Sequence, residues 1–373
     1  MKTAFLYGED LIRRDSRADE IFGPTRLEYT YELLKSYGAF KMPGSVLEPP
    51  REAGETDLVS FHTADYVAAV RKLSNGQEAG NPLRFNFSET GDNPVYPGMY
   101  ELSTLVVGSS LHAAEMVAGG EASTAFNSSG GLHHAAPDHA SGFCIFNDVA
   151  ISIKFLVSRG LRIGYVDVDA HHADGVQNAF YDTDRVLTIS LHGSGRYLFP
   201  GTGEVEEAGT GAGRGYSVNL PLAPYTDDAI YLWAFDRVVP PLINRFAPDI
   251  LVTQLGCDTH YLDPLTQFRL TTRGYEEIVR KLKSLELRWV AFGGGGYEPS
   301  VVTRCWTLAY GIMMGVDWPD DIPADFREVY GLRTLRDGES RREGGTVERA
   351  RRFAEEKVSA VRKLIFPLHG LEP

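Results

Sequence analysis

Cysteine is scarce in this chain. Cys144, Cys257 and Cys305 are its only three among 373 residues, with no CxxC pair, so no disulfide framework is expected and the thiols read as free in a reducing compartment. Long apolar runs are missing too. No stretch of about 18 uninterrupted apolar residues occurs, and nothing is expected to span a membrane. The first ten residues meet acidic side chains before a signal-length apolar region can form, which predicts a cytoplasmic location. Positive charge is in deficit: 37 Lys and Arg against 50 Asp and Glu give a net charge of −13. That argues against nucleic acid as a partner and favours neutral or cationic substrates. Neither a repeat nor a low-complexity linker breaks the chain, so one domain is expected over 1–373, with its motifs in about 20–315 and a helical extension over 316–373. What remains is globular composition, 43% hydrophobic and 23% charged, which excludes wholesale disorder.

From about residue 120, short apolar runs alternate with amphipathic stretches. Segments 123–126, 162–168, 186–191, 249–254 and 288–292 read as buried parallel strands. Helices are predicted over 147–159, from Thr226 as N-cap, over 272–284 and after Pro299. Strand and helix at this spacing predict an α/β fold whose mostly parallel sheet is covered on both faces. The first 120 residues read as more helical, with helices from Thr25 to Gly38 and from Pro97 to Gly120, and a Gly- and Asn-rich surface loop over 76–94. Residues 336–345 read as a charged loop, followed by a helix with Val347, Ala350, Ala354, Val358, Val361 and Ile365 on one docking face.

Six of the ten histidines fall within sixty residues. In the 165–175 segment, Asp167 and Asp169 are two apart on an extended chain and His171 follows the predicted strand end. The carboxyl edge of an open α/β sheet is where ligands bind. Asp169 and His171 aimed at one point there make a divalent-metal site plausible, and Asp258, at the end of another apolar strand, is the third candidate. Asp, His and Asp leave tetrahedral zinc one open position, the catalytic pattern; iron(II) or manganese is also tolerated by carboxylate-rich ligation. His133 and His134 supply tandem imidazoles that can divide base and acid work if carboxylates set their protonation differently, with Asp167 and Asp174 available. The 292–297 segment, Phe-Gly-Gly-Gly-Gly-Tyr, lets backbone approach a ligand and positions the phenol of Tyr297. It lacks the Lys-Ser/Thr of a phosphate loop, and nucleotide binding is excluded.

Taken together, 131–136 with 141–148, 165–175, 199–203, 254–259 and 293–297 resemble, in order, the blocks of the zinc-dependent histone deacetylase family of the arginase/deacetylase superfamily. The likeness is greatest to its bacterial acetoin-utilisation branch. The resemblance implies a three-layer α/β/α arginase/deacetylase fold around a sheet of about eight strands. It implies Zn2+, with Fe2+ or Mn2+ as substitutes, held by Asp169, His171 and Asp258. His134 would be general base and acid, assisted by His133; Asp167 would pair with His133 and Asp174 with His134; Tyr297 would donate to the oxyanion. Phe143 and Phe199 would wall an acyl-lysine tunnel lined by Gly142 and Leu265. Asp92 resembles a rim aspartate that binds substrate backbone, and Arg26 an arginine behind the site. A structural K+ would sit on main-chain oxygens of Asp167, Asp169 and His171 with Ser190 and Leu191. The implied partner is an acetylated protein, with acetyl-CoA synthetase the substrate that the acetoin branch suggests. His139, His172 and His260 receive no role.

Three other readings compete. A two-manganese ureohydrolase of the superfamily would want a carboxylate where Gly256 stands. An acetylpolyamine amidohydrolase fits the 142–148 segment less well than a lysine deacetylase does. An inactive acyl-lysine reader has no need of an open metal position.

Overall fold

The computed structural model describes residues 2–14, 23–338 and 344–373. Eight strands form one sheet: β1 (Thr3–Leu6), β2 (Ser45–Glu48), β3 (Thr124–Asn127), β4 (Ile163–Asp167), β5 (Val186–Gly193), β6 (Ser217–Leu222), β7 (Ile250–Gln254) and β8 (Arg288–Phe292). Their order is β2-β1-β3-β8-β7-β4-β5-β6, and every pairing is parallel. The helices are α1 (Asp10–Arg13), α2 (Thr25–Ser36), α3 (Glu55–Leu58), α4 (Ala64–Ser74), α5 (Met99–Gly119), α6 (Asp148–Ser158), α7 (Asp174–Ala179), α8 (Asp228–Phe246), α9 (Thr272–Lys283), α10 (Pro299–Met314), α11 (Ala324–Tyr330) and α12 (Gly344–Ile365).

Alternation along each strand sends neighbouring residues to opposite faces. Leu251, Trp289 and Ala291 join a core with α8, α9, α10 and α12. Ile250, Val252, Val290 and Phe292 join another with α5, α6 and α7. Three layers result, as expected. A third cluster, with Tyr66, Phe87 and Phe146, packs α4 beneath the 76–94 segment.

Several boundaries differ from the sequence reading. The helix expected from Thr226 is capped one residue later, where the Asp227 carboxylate accepts the N–H of Ile230 at 3.0 Å. The 76–94 loop contains a 3-10 turn, Pro82–Phe85, and buries Phe85, Phe87 and Asn93. The charged 336–345 stretch is irregular over 336–338, as read, 339–343 lie outside the described residues, and α12 begins already at Gly344. Arg336 bonds Glu276, and the Asp337 carboxylate accepts from Arg304 Nη1 at 2.6 Å. Buried charges in this stretch are neutralised in pairs rather than left to solvent. The apolar face of α12 docks as expected, with Ala350, Ala354, Val358, Val361 and Ile365 all buried.

Candidate active site

Four strands adjacent in the sheet, β3, β8, β7 and β4, end at one edge, and the loops leaving them carry the chemistry. β4 leads into Asp169 and His171, β7 into Asp258, β3 into His133 and His134, and β8 into the glycine turn before Tyr297. Asp169, His171 and Asp258 are buried, with ligand atoms all within 4.8 Å of one another. His171 Nδ1 lies 2.8 Å from Asp258 Oδ2 and 3.1 Å from Asp169 Oδ1. Backbone and amide donors hold both carboxylates from behind: Ala170 N–H to Asp258 at 2.7 Å, Gln254 Nε2 to Asp169 at 2.6 Å and Gly295 N–H to Asp169 at 2.8 Å.

The trio's three buried ligand atoms, gathered about one point, suit a cation. Burial and the nearby Asp169 push the Asp258 carboxyl well above the usual carboxylate range. Burial alone would lower His171, but its hydrogen bonds to Asp169 and Asp258 raise it to about 10. In the protein alone, a proton on that imidazole sits between the two acids. Two oxygen donors and one neutral imidazole nitrogen suit a divalent ion that replaces this proton. No third carboxylate is offered at 256, where glycine stands and a Cβ would displace Asp169 Oδ2. That steric fact disfavours the two-manganese reading.

The histidine pair sorts itself by hydrogen-bond counting. His133 Nδ1 meets Asp167 Oδ2 at 2.8 Å, His134 Nδ1 meets Asp174 Oδ1 at 2.7 Å, and the two Nε2 atoms face each other at 3.0 Å. Both Nδ1 atoms donate to carboxylates, so one Nε2 must carry a further proton and the other a lone pair. Burial would lower His133, but the Asp167 and Asp169 charges outweigh it and raise it to about 9. Burial and the neighbouring His133 depress His134 to about 4. His133 therefore holds the proton and His134 the lone pair.

Aromatic rings surround these groups. Phe199 leans edge-on against His134, with centroids 5.1 Å apart, and Phe143 lies 6.0 Å from Tyr297. Gly142 sits between His134 and Phe199; a Cβ there would come within 2.5 Å of the His134 ring. Tyr297 is 6.5 Å from His171. Burial and the Asp258 charge raise its phenol well above 10, so it stays protonated. Arg26 Nη1 donates to the carbonyls of Gly294 and Gly296 at 2.6 and 3.3 Å, bracing the turn that carries Tyr297. The β4–β5 register sets Asp167 against Ser190, placing two of the expected potassium carriers on neighbouring strands.

Two expected residues are exposed. Asp92 is exposed in a turn closed by Ser88 N–H to Asn93 O at 3.0 Å. The Leu265 side chain is 36% exposed, its loop tied by Leu265 N–H to Asp263 Oδ1. Supporting residues were missed from sequence. Asn147 Nδ2 donates to the carbonyls of His133 and Ala135 at 3.2 and 3.0 Å, and Asp148 accepts the N–H groups of Gly131 and Leu132. Gln254 and Asp263 were unassigned too. A polar Gln closing an apolar strand was the one available signal.

The Histone deacetylase domain family matches residues 20–313. The chain is similar to the acetoin utilization protein AcuC of Bacillus subtilis (strain 168), 40% identical over 331 residues covering 87% of this chain and 85% of the relative. It is 39% identical to histone deacetylase B of Dictyostelium discoideum over 310 residues, 82% and 72% of the two chains. A crystal structure of an HDAC homolog complexed with SAHA superposes with a TM-score of 0.88 at 30% identity, covering 97% of this chain and all of that one.

Proposed function

The chain belongs to the histone deacetylase family, as an AcuC-like hydrolase of the arginase/deacetylase fold, and from that premise we propose that it hydrolyses the amide of acetyl-lysine in proteins. The observation that carries this reading is the convergence of a buried Asp-His-Asp trio able to hold an ion and a carboxylate-backed histidine pair at one sheet edge. Asp169, His171 and Asp258 would hold the ion, zinc by preference with iron(II) or manganese as substitutes. When bound, such an ion supplies Lewis-acid polarisation of the amide carbonyl and acidifies a water.

The protein's own groups do the rest. His134 Nε2, kept neutral, turns its lone pair from His133 to the attacking water and accepts its proton, and the Asp174 carboxylate stabilises the imidazolium that forms. That Nε2 then returns the proton to the departing lysine amine. His133, held charged by Asp167, adds positive potential beside the developing oxyanion. The Tyr297 hydroxyl donates to that oxyanion. Phe143 and Phe199 flank the aliphatic stem of the substrate lysine, with Gly142 leaving the space between and Leu265 lining the mouth. Asp92, exposed, accepts substrate backbone N–H groups. A structural K+ sits on main-chain oxygens of Asp167, Asp169 and His171 with Ser190 and Leu191. The substrate is an acetylated protein, acetyl-CoA synthetase by the acetoin-utilisation likeness, and the setting is the cytoplasm; among the described residues no helix is long and apolar enough to cross a membrane.

The test compares acetyl-lysine peptides, acetylated acetyl-CoA synthetase and acetylpolyamines, with and without chelator. Deacetylation of the peptides should vanish on chelation and return with zinc or iron(II). Full activity in metal-free protein overturns the metal assignment. Turnover of acetylpolyamines alone overturns the protein substrate.

A further inference from the structure

Asp263 is a buried carboxylate, 7% exposed, that neither the metal trio nor the histidine pair employs. Its Oδ1 accepts the N–H of Leu265 at 2.9 Å, within its own loop. Its Oδ2 crosses to the loop after β8 and accepts the N–H of Tyr297, also at 2.9 Å. Burying a charge is costly unless it is hydrogen-bonded, and here two backbone amides on two different loops supply those bonds.

The peptide unit between Gly296 and Tyr297 is gripped from both ends. Its carbonyl accepts from Arg26 Nη1 at 3.3 Å, and its N–H donates to Asp263. A cation at the oxygen and an anion at the hydrogen fix the plane of that peptide. The turn needs such a grip, since Gly294 and Gly296 adopt φ of +119° and +134°, where glycine is free and side chains give no restraint. Its other peptides are tied by Cys257 N–H to Gly295 O at 2.9 Å and Gly295 N–H to Asp169. The Asp263 bond acts on the backbone nitrogen of the tyrosine itself. A rotation of that peptide swings the phenol, whose hydroxyl lies at the far end of the ring.

We propose that Asp263 is a positioning residue that fixes the peptide plane of Tyr297 and so aims its hydroxyl. This rests on the reading of Tyr297 as oxyanion donor. The competing role is local: Asp263 as the anchor of its own 263–265 turn, without consequence for Tyr297.

A double-mutant cycle with Tyr297→Phe separates the two. Asp263→Asn keeps the shape but leaves one acceptor oxygen for two amides. It should lower kcat on an acetyl-lysine peptide by about 10- to 100-fold, the cost of a misplaced group, with KM within about threefold and metal content and Tm held. In the Tyr297→Phe background the same change should alter kcat by less than about twofold, because the hydroxyl it aims is gone. An equal loss in both backgrounds, or no loss in the wild type, overturns the proposal. A near-normal kcat for Tyr297→Phe alone overturns instead the oxyanion reading beneath it. If Asp263→Asn unfolds or loses metal, Asp263→Ser, with one acceptor, carries the same cycle.

Discussion

His62 lies among Phe61, Tyr66 and Phe146, with ring centroids 4.7, 5.4 and 5.1 Å away, and its Nε2 accepts the N–H of Asn147 at 2.9 Å. Burial lowers its pKa to about 4, against about 6.5 for an exposed imidazole. Between those values the unfolded chain binds a proton that the folded one refuses. Stability should therefore fall as pH falls from 6.5 toward 4 and be insensitive to this group above 7. Linkage puts the loss between pH 7 and 5 at about 2 kcal/mol. His62→Gln keeps an acceptor and removes the titration. In urea unfolding, the advantage of wild type over variant should shrink by that amount from pH 7 to pH 5; a constant difference would mean that His62 is not a buried neutral acceptor. Nothing in the sequence singled out His62, because one polar residue in a loop has no periodicity to betray its burial. The trio and the paired histidines were legible for the opposite reason: polar residues closing apolar strands are costly unless they meet something. The structure brings Asp169, His171 and Asp258 together, and His133 and His134 with their carboxylates. Asp263 and Gln254 act on backbone or on another side chain across the fold, and only three dimensions show that.

At the scale of elements, the central strands were readable as continuous apolar runs, while three others were not. β1 and β2 are four residues each, no longer than β3, but they interrupt a stretch that otherwise reads as helical. β6 contains Pro221, which argues against a strand unless the strand lies at an edge, as β6 does. It pairs only with β5, and its loop partners shape the site wall. The loop between β5 and β6 is held from outside and within: His172, after β4, meets Thr202 Oγ1 through Nδ1 at 2.9 Å, His192 of β5 donates from Nε2 to Gly203 O at 2.9 Å, and Glu207 accepts the Gly203 N–H at 2.7 Å. These bonds fix the segment carrying Phe199, which is 43% exposed yet packed on His134. Phe143 is set differently, at a φ of +66° that few side chains adopt. If both rings flank the lysine stem, replacing either by Ala should lower kcat/KM by about 1–3 kcal/mol through lost apolar contact, with metal retained. Unchanged kcat/KM in both variants would place the substrate elsewhere.

Across the whole molecule, distant segments are tied by charge as well as by apolar packing. Asp337 lies far along the chain from the strand-end loops, yet its carboxylate meets His260 Nε2 at 2.7 Å, Arg304 Nη1 at 2.6 Å and the N–H of Thr272 at 2.9 Å. Those partners belong to the loop after β7, to α10 and to the start of α9. Burial would raise the Asp337 carboxyl, but His260 and Arg304 hold it well below the usual range. The Arg304 and Asp337 side chains are each only 8% exposed, so solvent screens the pair little. Removing the acid strands a buried guanidinium, and such a loss costs about 3–5 kcal/mol where an exposed pair costs under about 1. Asp337→Ala should lower the urea-unfolding free energy by that larger amount, whereas Glu9→Ala, which breaks an exposed pair with Arg13, should change it little. The tie also joins the chain beyond α10 to the loop that carries Asp258, since His260 follows that ligand by two residues. Loss of Asp337 should therefore weaken metal retention during dialysis before the protein unfolds. If Asp337→Ala loses less than about 1 kcal/mol and keeps its metal, the segment after α10 merely rests on the sheet layer and does not brace the site.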